Sequence, residues 1–310
     1  MWKNYFLLLS KNIGFNHMNK IPESELILNL DNSVYHLNLH PEDIADTIIN
    51  VGDPDRVAMV SSFFDRIELR KQKREFITHT GSYKGKRISV ISTGIGTDNI
   101  DIVYNELDAL VNIDLKKRVI KDNLKSINLI RIGTSGSLQE NIPVDGFVFS
   151  TFGLGLDGLL NFYELTNTEE ETKIIEAFRK HYLGHGILPR AYLVKSSNKL
   201  EAALSEGMFK GITASCSGFF GPQGRVLRYQ LAFPEVIDRL TSFHFDTNHI
   251  TNFEMETGAM YGLAKILGHH CCSINAIVAN RITKKHTHLG EETMKKLIEL
   301  VLDRIALMAD

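Results

Sequence analysis

The stretch DTIINVGDPDRVAMVSSFF, residues 46–64, combines a short apolar run, a glycine and an amphipathic run. Residues 46–52 predict a buried strand, because a short continuous apolar run that ends at a glycine is typical of strands covered on both faces. Residues 53–64 predict a helix with Asp53 as its N-cap and Pro54 in its first turn. A strand that leads directly into a helix is the unit from which parallel sheets are built.

The same alternation continues to the end of the chain. The patterns predict a hairpin at 74–94, strands at 126–133, 146–155, 191–197 and 271–281, a strand ending within 252–255, and helices at 99–111, 168–182, 234–243 and 291–308. Strands that alternate with helices predict an α/β fold with a mostly parallel sheet covered on both faces. Chains of this class and of 310 residues often form one domain, so we expect a single domain.

The composition limits the kind of partner. The formal net charge of −2 gives no electrostatic reason to expect nucleic acid or a membrane as a partner. No apolar stretch approaches the length of a membrane span, and the apolar run within residues 1–10 is too short for a signal peptide. Cys216, Cys271 and Cys272 lack the spacing of a disulfide framework, which fits a cytoplasmic protein. Cys271 and Cys272 begin an apolar run, so we expect them to be core thiols.

Strand-to-helix turns are candidate sites, because ligands of open α/β sheets lie at the carboxyl ends of the strands. VGDPDRV, residues 51–57, places Arg56 in a first helical turn, where a cation is unfavourable unless an anion lies nearby. RIGTSGS, residues 131–137, places Arg131 in a buried run before glycines and hydroxyls, which predicts a nest for an oxyanion. The alternatives are an exposed arginine on a capped helix and a structural ion pair. STGIGTDN, residues 92–99, is a weaker indication, because such glycine turns are common.

Two further segments supply groups of a different kind. FEMETG, residues 253–258, places Glu254 and Glu256 beside an apolar helix, and a carboxylate there can accept hydrogen bonds from adjacent sugar hydroxyls. SGFFGPQGR, residues 217–225, combines an aromatic ring, an amide and a guanidinium, which suits a planar polar heterocycle. The alternative for this segment is a glycine- and proline-rich surface loop. Anion, sugar and heterocycle sites together predict a nucleoside or nucleotide ligand.

Residues 34–310 resemble the nucleoside phosphorylase family I, and within it the uridine phosphorylases. The resemblance rests on segments that occur in the same order, namely VYHLNL, VGDPDRV, REF, STGIG, RIGTSGS, GPQGR, FEMET and IVANR. It implies an α/β domain over residues 34–310, with a central mixed, mostly parallel β-sheet flanked by helices. Residues 1–33 would then be an N-terminal extension, with residues 1–17 loosely ordered and Met18 as an alternative start.

The resemblance also implies roles for individual residues. Those expected to bind phosphate are Gly52, Arg56, Arg74, Arg131, Gly133 and Thr134. Those expected to bind ribose are His36, Met255 and Glu256, with Glu254 in a supporting role. Those expected to bind the base are Phe219, Gln223, Arg225 and Arg281. The catalytic residues among them would be Arg131, Glu256, Arg225 and Gln223, and a neighbouring subunit would supply Arg74 and His36.

The implied activity is reversible phosphorolysis of uridine to uracil and ribose 1-phosphate by a pentosyltransferase. The resemblance implies a homodimer, or a hexamer built from dimers, with shared active sites. Inorganic phosphate is a co-substrate, and neither a cofactor nor a metal is expected in catalysis. The alternatives are a phosphorylase of broader or purine specificity, a nucleosidase, and a nucleoside-binding protein without activity.

The chain departs from the relatives at two places. Asn280 and Arg281 lie where purine-specific phosphorylases and nucleosidases carry an aspartate, which favours the uridine assignment. Many uridine phosphorylases have Gly-Pro-Ser at the position of residues 97–99, whereas this chain has Thr-Asp-Asn. The monovalent-cation site that the resemblance places between subunits, with Glu75 as a contributor, is therefore in doubt.

Overall fold

The strand and helix predicted over residues 46–64 form in the computed structural model, which describes residues 20–182 and 190–309. Asp53 caps the helix as predicted, because its Oδ1 accepts the Asp55 N–H at 3.0 Å, and Pro54 is the first helical residue. The segment 1–17 and Met18, on which the prediction of a loose extension depends, lie outside the described residues. Residues 20–33 lie against the rest of the fold, with Leu26 in the core; the division at residue 33 stays a prediction.

The strands in chain order are β1 (Thr47–Val51), β2 (Arg66–Lys73), β3 (Phe76–Tyr83), β4 (Lys86–Ser92), β5 (Ile113–Asp114), β6 (Val119–Ile120), β7 (Asn128–Ser137), β8 (Phe147–Gly155), β9 (Tyr192–Lys195), β10 (Phe209–Ser215), β11 (His244–Phe245), β12 (Asn248–Glu254), β13 (His270–Asn280) and β14 (Lys285–His286). The α-helices are α1 (Pro54–Ser61), α2 (Thr97–Asn112), α3 (Glu169–Tyr182), α4 (Asn198–Leu204), α5 (Val236–Ser242), α6 (Thr257–Leu267) and α7 (Gly290–Leu307). Short 3₁₀ helices lie at Pro41–Asp43, Leu159–Phe162 and Gly221–Gln223.

The central sheet is mixed, as the resemblance implied. Its order is β11-β12-β10-β8-β13-β7-β1-β4-β3-β2, with β9 on β8, β14 on β13, and a separate pair of β5 and β6. The neighbours β4, β1, β7 and β13 run parallel, as do β8, β10 and β12, whereas β8 pairs antiparallel with β13. An antiparallel pairing of β12 with β7 closes the strands β7, β13, β8, β10 and β12 into a ring.

Helices cover both faces of this sheet, so apolar residues fill a core on each side. One cluster lies under α2 and α6, with Tyr104 and Met260 fully buried. A second lies under α1, α4 and α7. The three cysteines are buried free thiols, which confirms the prediction for Cys271 and Cys272. No helix in the described ranges is long and apolar enough to cross a membrane.

The predicted turn at 131–137 is wrong, because β7 continues through it to Ser137. β13 lies along one side of this segment, pairing Gly133 with Asn275, and β12 pairs with Gly136 and Ser137 on the other. The strands β2 and β10 and the helix α4 were not predicted. β2, with the sequence RIELRKQK, is the outermost strand of the sheet, where lysines and arginines discourage further pairing and no apolar run is needed.

Candidate active site

A cleft of about 810 Å³ lies at the C-terminal ends of β1, β4, β7, β10, β12 and β13. The predicted site residues that line it are Gly52, Arg56, Arg131, Thr134, Phe219, Gln223, Arg225, Met255, Glu256 and Arg281, together with the supporting Glu254. The predicted site residues that do not line it are His36, Arg74 and Gly133. Most of the predicted residues therefore meet in one place, although they come from segments far apart in the chain.

Arg56 and Arg131 bring two positive charges close together in the cleft. Arg56 lies in the first turn of α1 and, within the described part of the chain, has no carboxylate partner in an ion pair. Burial lowers the pKa of Arg56, and the positive charge of Arg131 lowers it further. A half-buried cation beside another cation is unfavourable until an anion lies between or beside them. Two such cations close together at the end of β1, next to Gly52, could hold an anion.

Arg131 combines that role with the ion pair that the alternative interpretation predicted. Its Nη2 donates to Glu256 Oε2 at 2.5 Å and lies 3.3 Å from Glu254 Oε2, and its Nη1 donates to Asn275 Oδ1 at 2.9 Å. Burial alone would lower the pKa of Arg131, but the charges of Glu256 and Glu254 outweigh it and raise the pKa. The guanidinium is thus fully ionised and held rigidly in the sheet.

Glu256 and Glu254 both line the cleft, and Glu254 also supports the backbone around it. Glu256 Oε1 accepts the Gly96 N–H at 2.9 Å, so this carboxylate joins the β4–α2 loop to the start of α6. Glu254 accepts the N–H groups of Glu256 and Thr257 at 3.0 Å and the Ser215 hydroxyl at 2.7 Å. Burial raises the pKa of Glu254 to about 7, against the opposing charge of Arg131. The supporting role expected for Glu254 agrees with these contacts.

Gly133 and Thr134 lie in β7 and not in an oxyanion nest, so that part of the sequence interpretation is wrong. Thr134 lines the cleft, whereas Gly133 lies behind it. A Cβ built on Gly133 would lie 1.6 Å from Arg131 Nη1, because the arginine side chain folds back over this residue. Gly133 therefore makes room for the guanidinium, a function that the repeated glycines in RIGTSGS gave no means of recognising.

The loop after β10 forms the part of the cleft that was expected to bind a base. Arg225 Nη1 donates to the Phe219 carbonyl at 2.6 Å and to Gln223 Oε1 at 2.5 Å, and its guanidinium lies 3.7 Å from the Phe219 ring centre. Arg281 donates to the carbonyls of Gln223 and Gly224 at 2.9 and 3.2 Å. Burial lowers the pKa of both arginines, and for Arg225 the charge of Arg281 lowers it further.

The sequence analysis missed Phe253 and His286, which also line this part of the cleft. Phe253 lies under both guanidiniums, with ring-centre distances of 5.7 Å to Arg225 and 5.6 Å to Arg281. Phe253 directly precedes the acidic pair in FEMETG, and its position next to predicted site residues was the only signal. The β13–β14 hairpin, which no motif predicted, carries His286 to the cleft.

Asn280 is buried and points away from the ligand space. Its Nδ2 donates to the carbonyls of Gln139 and Ile142 at 2.9 and 2.8 Å, and its Oδ1 accepts the N–H groups of Ile282 and Thr283 at 2.9 Å. Every hydrogen-bonding group of this side chain is therefore used by backbone. The last residue of β13 therefore offers neither an acid nor a free amide at the position where the resemblance implies an aspartate in purine-specific phosphorylases.

His36 and Arg74 lie outside the cleft of their own chain. His36 Nδ1 is 2.7 Å from Glu106 Oε1, and the N–H groups of His36 and Leu37 donate to the same carboxylate. Arg74 lies exposed in the turn between β2 and β3, with φ of 54° and its guanidinium 5.9 Å from the Tyr35 ring centre. Neither side chain is directed at the arginines or acids described above.

Glu75 lies at the edge of the cleft, where Asn99 Nδ2 donates to its Oε1 at 3.3 Å. Thr97 is the first residue of α2, so the segment that departs from the uridine phosphorylases begins a helix. Within residues 20–182 and 190–309, no cluster of three or more histidine, cysteine or acidic side chains is arranged to bind a metal ion. The doubt about a monovalent-cation site at Glu75 stays a prediction from the sequence.

Known proteins resemble this chain over most of its length. A uridine phosphorylase of Thermococcus kodakarensis is 32% identical over 260 residues, which cover 83% of this chain and 81% of that protein. A DeoD-type purine nucleoside phosphorylase of Listeria welshimeri is 27% identical over 259 residues, covering 83% of this chain and 89% of that protein. The crystal structure of a Trypanosoma brucei nucleoside phosphorylase, described as showing uridine phosphorylase activity, superposes with a TM-score of 0.84 at 27% identity, covering 91% of this chain and all of that one.

The family model described as the phosphorylase superfamily matches residues 46–309. That range contains β1 to β14, α1 to α7 and every residue that lines the cleft. The matched relatives in this family are nucleoside phosphorylases. Since the match covers the whole sheet and the whole site at once, this chain belongs to the phosphorylase superfamily.

Proposed function

We propose that the protein catalyses the reversible phosphorolysis of uridine to uracil and ribose 1-phosphate. The observation that carries the proposal is that one cleft contains three kinds of group. They are the arginines Arg56 and Arg131, the carboxylate of Glu256, and the side chains of Gln223 and Arg225 in the loop after β10. These groups match phosphate, ribose and base respectively. The uridine phosphorylase of Thermococcus kodakarensis, at 32% identity, supports the same choice of substrate.

In this mechanism Arg56 and Arg131 hold phosphate below the sugar. The C1′–N1 bond breaks, its electron pair leaves with uracil, and a phosphate oxygen forms the new bond to C1′. The sugar is cationic while this happens, and the negative charge of Glu256 stabilises it as well as holding the sugar hydroxyls. Gln223 and Arg225 hydrogen-bond the oxygens of the departing uracil, which takes up its proton from solvent. No side chain becomes covalently attached, so catalysis consists of positioning and electrostatic stabilisation.

The choice of a pyrimidine depends on how the base leaves. A purine is a poorer leaving group unless an acid protonates it, and the side chain of Asn280 is neutral and fully used by backbone carbonyls and N–H groups. Uracil can leave as a delocalised anion next to the cations Arg225 and Arg281. The second candidate substrate is a purine nucleoside, because the Listeria welshimeri relative is a purine nucleoside phosphorylase.

We further propose that a second copy of the chain completes the site. Arg74 and His36 lie outside their own cleft, and Arg74 is exposed with no carboxylate partner in an ion pair among the described residues. A dimer in which each copy presents this turn to the other would add a third arginine to the phosphate site. A hexamer built from such dimers would do the same.

The proposal is tested by mixing the purified protein with uridine, with and without phosphate, and measuring the release of uracil. Release that requires phosphate supports phosphorolysis. Release without phosphate indicates a nucleosidase, and no release in either arm indicates a binding protein. Inosine and thymidine run in parallel define the base, and inosine turnover as fast as uridine turnover would overturn the uracil assignment.

Glu256→Gln tests the role of the carboxylate directly. The amide keeps the volume but loses the charge that stabilises a cationic sugar, so we expect kcat to fall about 10²-fold. Glu171→Gln is a matched control, because Glu171 is also buried and ion-paired, with Lys265 at 2.7 Å, but lies outside the cleft. The control should lose stability while its kcat stays close to that of the unaltered protein. A fully active Glu256→Gln variant would contradict the mechanism.

A further inference from the structure

We propose that Asn275 is a positioning residue that holds the Arg131 guanidinium with a neutral acceptor, so that its charge stays available to phosphate. This inference rests on the proposed phosphorolysis. Asn275 lies in β13 and is fully buried, and Arg131 Nη1 donates to its Oδ1 at 2.9 Å. It does not line the cleft, so it would act only through the arginine.

The sheet register places Asn275 where it can control the arginine. Asn275 pairs with Gly133 across the β7–β13 ladder, and Arg131 lies two residues before Gly133 on the same face of β7. The guanidinium folds over the bare glycine and reaches the asparagine on the next strand. A fixed acceptor at that point determines the direction in which the remaining N–H groups of Arg131 face.

Hydrogen bonds, together with the peptide bond between Glu256 and Thr257, connect this contact to the Glu256 carboxylate. Asn275 Nδ2 donates to Ser273 Oγ at 3.1 Å, and Thr257 Oγ1 donates to the same oxygen at 2.8 Å. Thr257 directly follows Glu256, whose carboxylate accepts from Arg131. Since a guanidinium has only donors, the amide oxygen must face Arg131 and the amide nitrogen must face Ser273. These contacts thereby keep Arg131, expected to bind phosphate, at a fixed distance from Glu256, expected to bind ribose.

The charge of the acceptor explains the choice of an amide. Arg131 already has Glu256 at 2.5 Å and Glu254 at 3.3 Å. A third carboxylate would neutralise the guanidinium further and repel a phosphate dianion. An amide oxygen accepts the same hydrogen bond without a charge, so orientation is obtained with no loss of attraction for phosphate.

The test compares Asn275→Leu with Asn275→Asp by calorimetric titration of inorganic phosphate into the purified protein. Asn275→Leu removes the acceptor, and we expect the Kd for phosphate to rise about tenfold or more, because a hydrogen bond to a charged group contributes at least that factor. Asn275→Asp keeps the acceptor and the shape but adds a charge, and we expect phosphate binding to weaken at least as much. If the asparagine only stabilised the fold, a folded Asn275→Leu protein would bind phosphate as the unaltered protein does, which would overturn the inference.

Asn112→Leu is the matched control, since Asn112 is also a buried asparagine with hydrogen bonds but lies at the end of α2 and outside the cleft. It should lower Tm without changing the Kd for phosphate. In steady-state assays the KM for phosphate should rise in both Asn275 variants while the KM for uridine changes much less.

Three results would overturn the inference alone: unchanged phosphate binding in a folded Asn275→Leu protein, unchanged phosphate binding in Asn275→Asp, or equal rises in both KM values. If Asn275→Leu does not fold, Asn275→Ala, which also removes the acceptor, replaces it with the same expectation. An unaltered protein that binds no phosphate would overturn the proposed function together with this inference, so the two failures are distinguishable.

Discussion

Replacing Gly133 with alanine should disable phosphate use while leaving the protein folded. Gly133 touches no expected ligand, and its neighbour Arg131 occupies the space where a side chain would be. An added Cβ would lie 1.6 Å from Arg131 Nη1, 2.5 Å from its Cζ and 2.8 Å from Asn275 Oδ1. The strand backbone is paired on β13 and cannot yield easily, so the arginine must move.

The size of the effect follows from these distances. Non-bonded heavy atoms rest about 3.5 Å apart, so the guanidinium must shift by about 2 Å. A misplacement of about 1 Å can cost about 10²-fold in rate, and we therefore expect kcat/KM for phosphate to fall at least about 10²-fold. Overpacking of this kind also costs about 1–3 kcal/mol of stability, which a folded domain of this size tolerates.

The assay measures kcat/KM for phosphate at saturating uridine, together with the thermal unfolding curve. Gly290→Ala at the start of α7 is the control, because Gly290 does not line the cleft and its Cβ would meet Thr287 Cγ2 at 3.7 Å, an ordinary contact distance. It should keep its activity within a few fold. Equal activities of the two variants, or a Gly133→Ala protein as active as the unaltered one, would refute the idea that this glycine makes room for Arg131.

Three further outcomes are expected. Gln223→Ala or Arg225→Ala should lower kcat/KM for uridine about 10²–10³-fold and leave the KM for phosphate nearly unchanged. Steady-state kinetics in which each substrate is varied in turn measure both values. Arg74→Ala and Arg131→Ala should each be inactive as pure proteins. When the two variants are unfolded and refolded together, they should regain about a quarter of the original activity, because a mixed dimer contains one intact site. Absence of recovery despite demonstrated subunit exchange would contradict a shared site. The pKa of Glu254 is raised to about 7, above its ordinary value of 4.5. The stability that Glu254 contributes is therefore full below about pH 4.5 and is lost as the pH rises through about 7. Urea unfolding should show a free energy of unfolding up to about 3 kcal/mol lower at pH 8 than at pH 5, a difference that is absent from Glu254→Gln.

The sequence determined the strand and helix units of the fold wherever an apolar run and its helix cap lie side by side. Residues 46–64 are the clearest example, because strand, glycine, Asp53 cap and Pro54 are all local signals. Local sequence patterns did not predict strand structure where the hydrogen-bonding strands come from distant parts of the chain. The segment GTSGS has little strand preference of its own, but β13 and β12 supply hydrogen bonds along its two sides and make it part of β7.

The candidate site, like the fold, was only partly predictable from the sequence. The sequence indicated that Arg131, interrupting an apolar run, must be paired or in use, and that Glu254 and Glu256 could not be idle in a buried segment. It could not say that the guanidinium and the carboxylate are partners, since they are 125 positions apart in the chain. It also could not reveal the space over Gly133 or the acceptor at Asn275.

The sequence by itself therefore determined which residue types this protein carries to the C-terminal ends of its strands, because strand periodicity and turn chemistry are local properties. Only the tertiary structure decided which of those residues meet, because the closure of β12 onto β7 brings the acids beside the arginine through contacts between distant segments. It also decided that Arg74 and His36 do not line the cleft of their own chain, although Glu75, which follows Arg74 in the same turn, does.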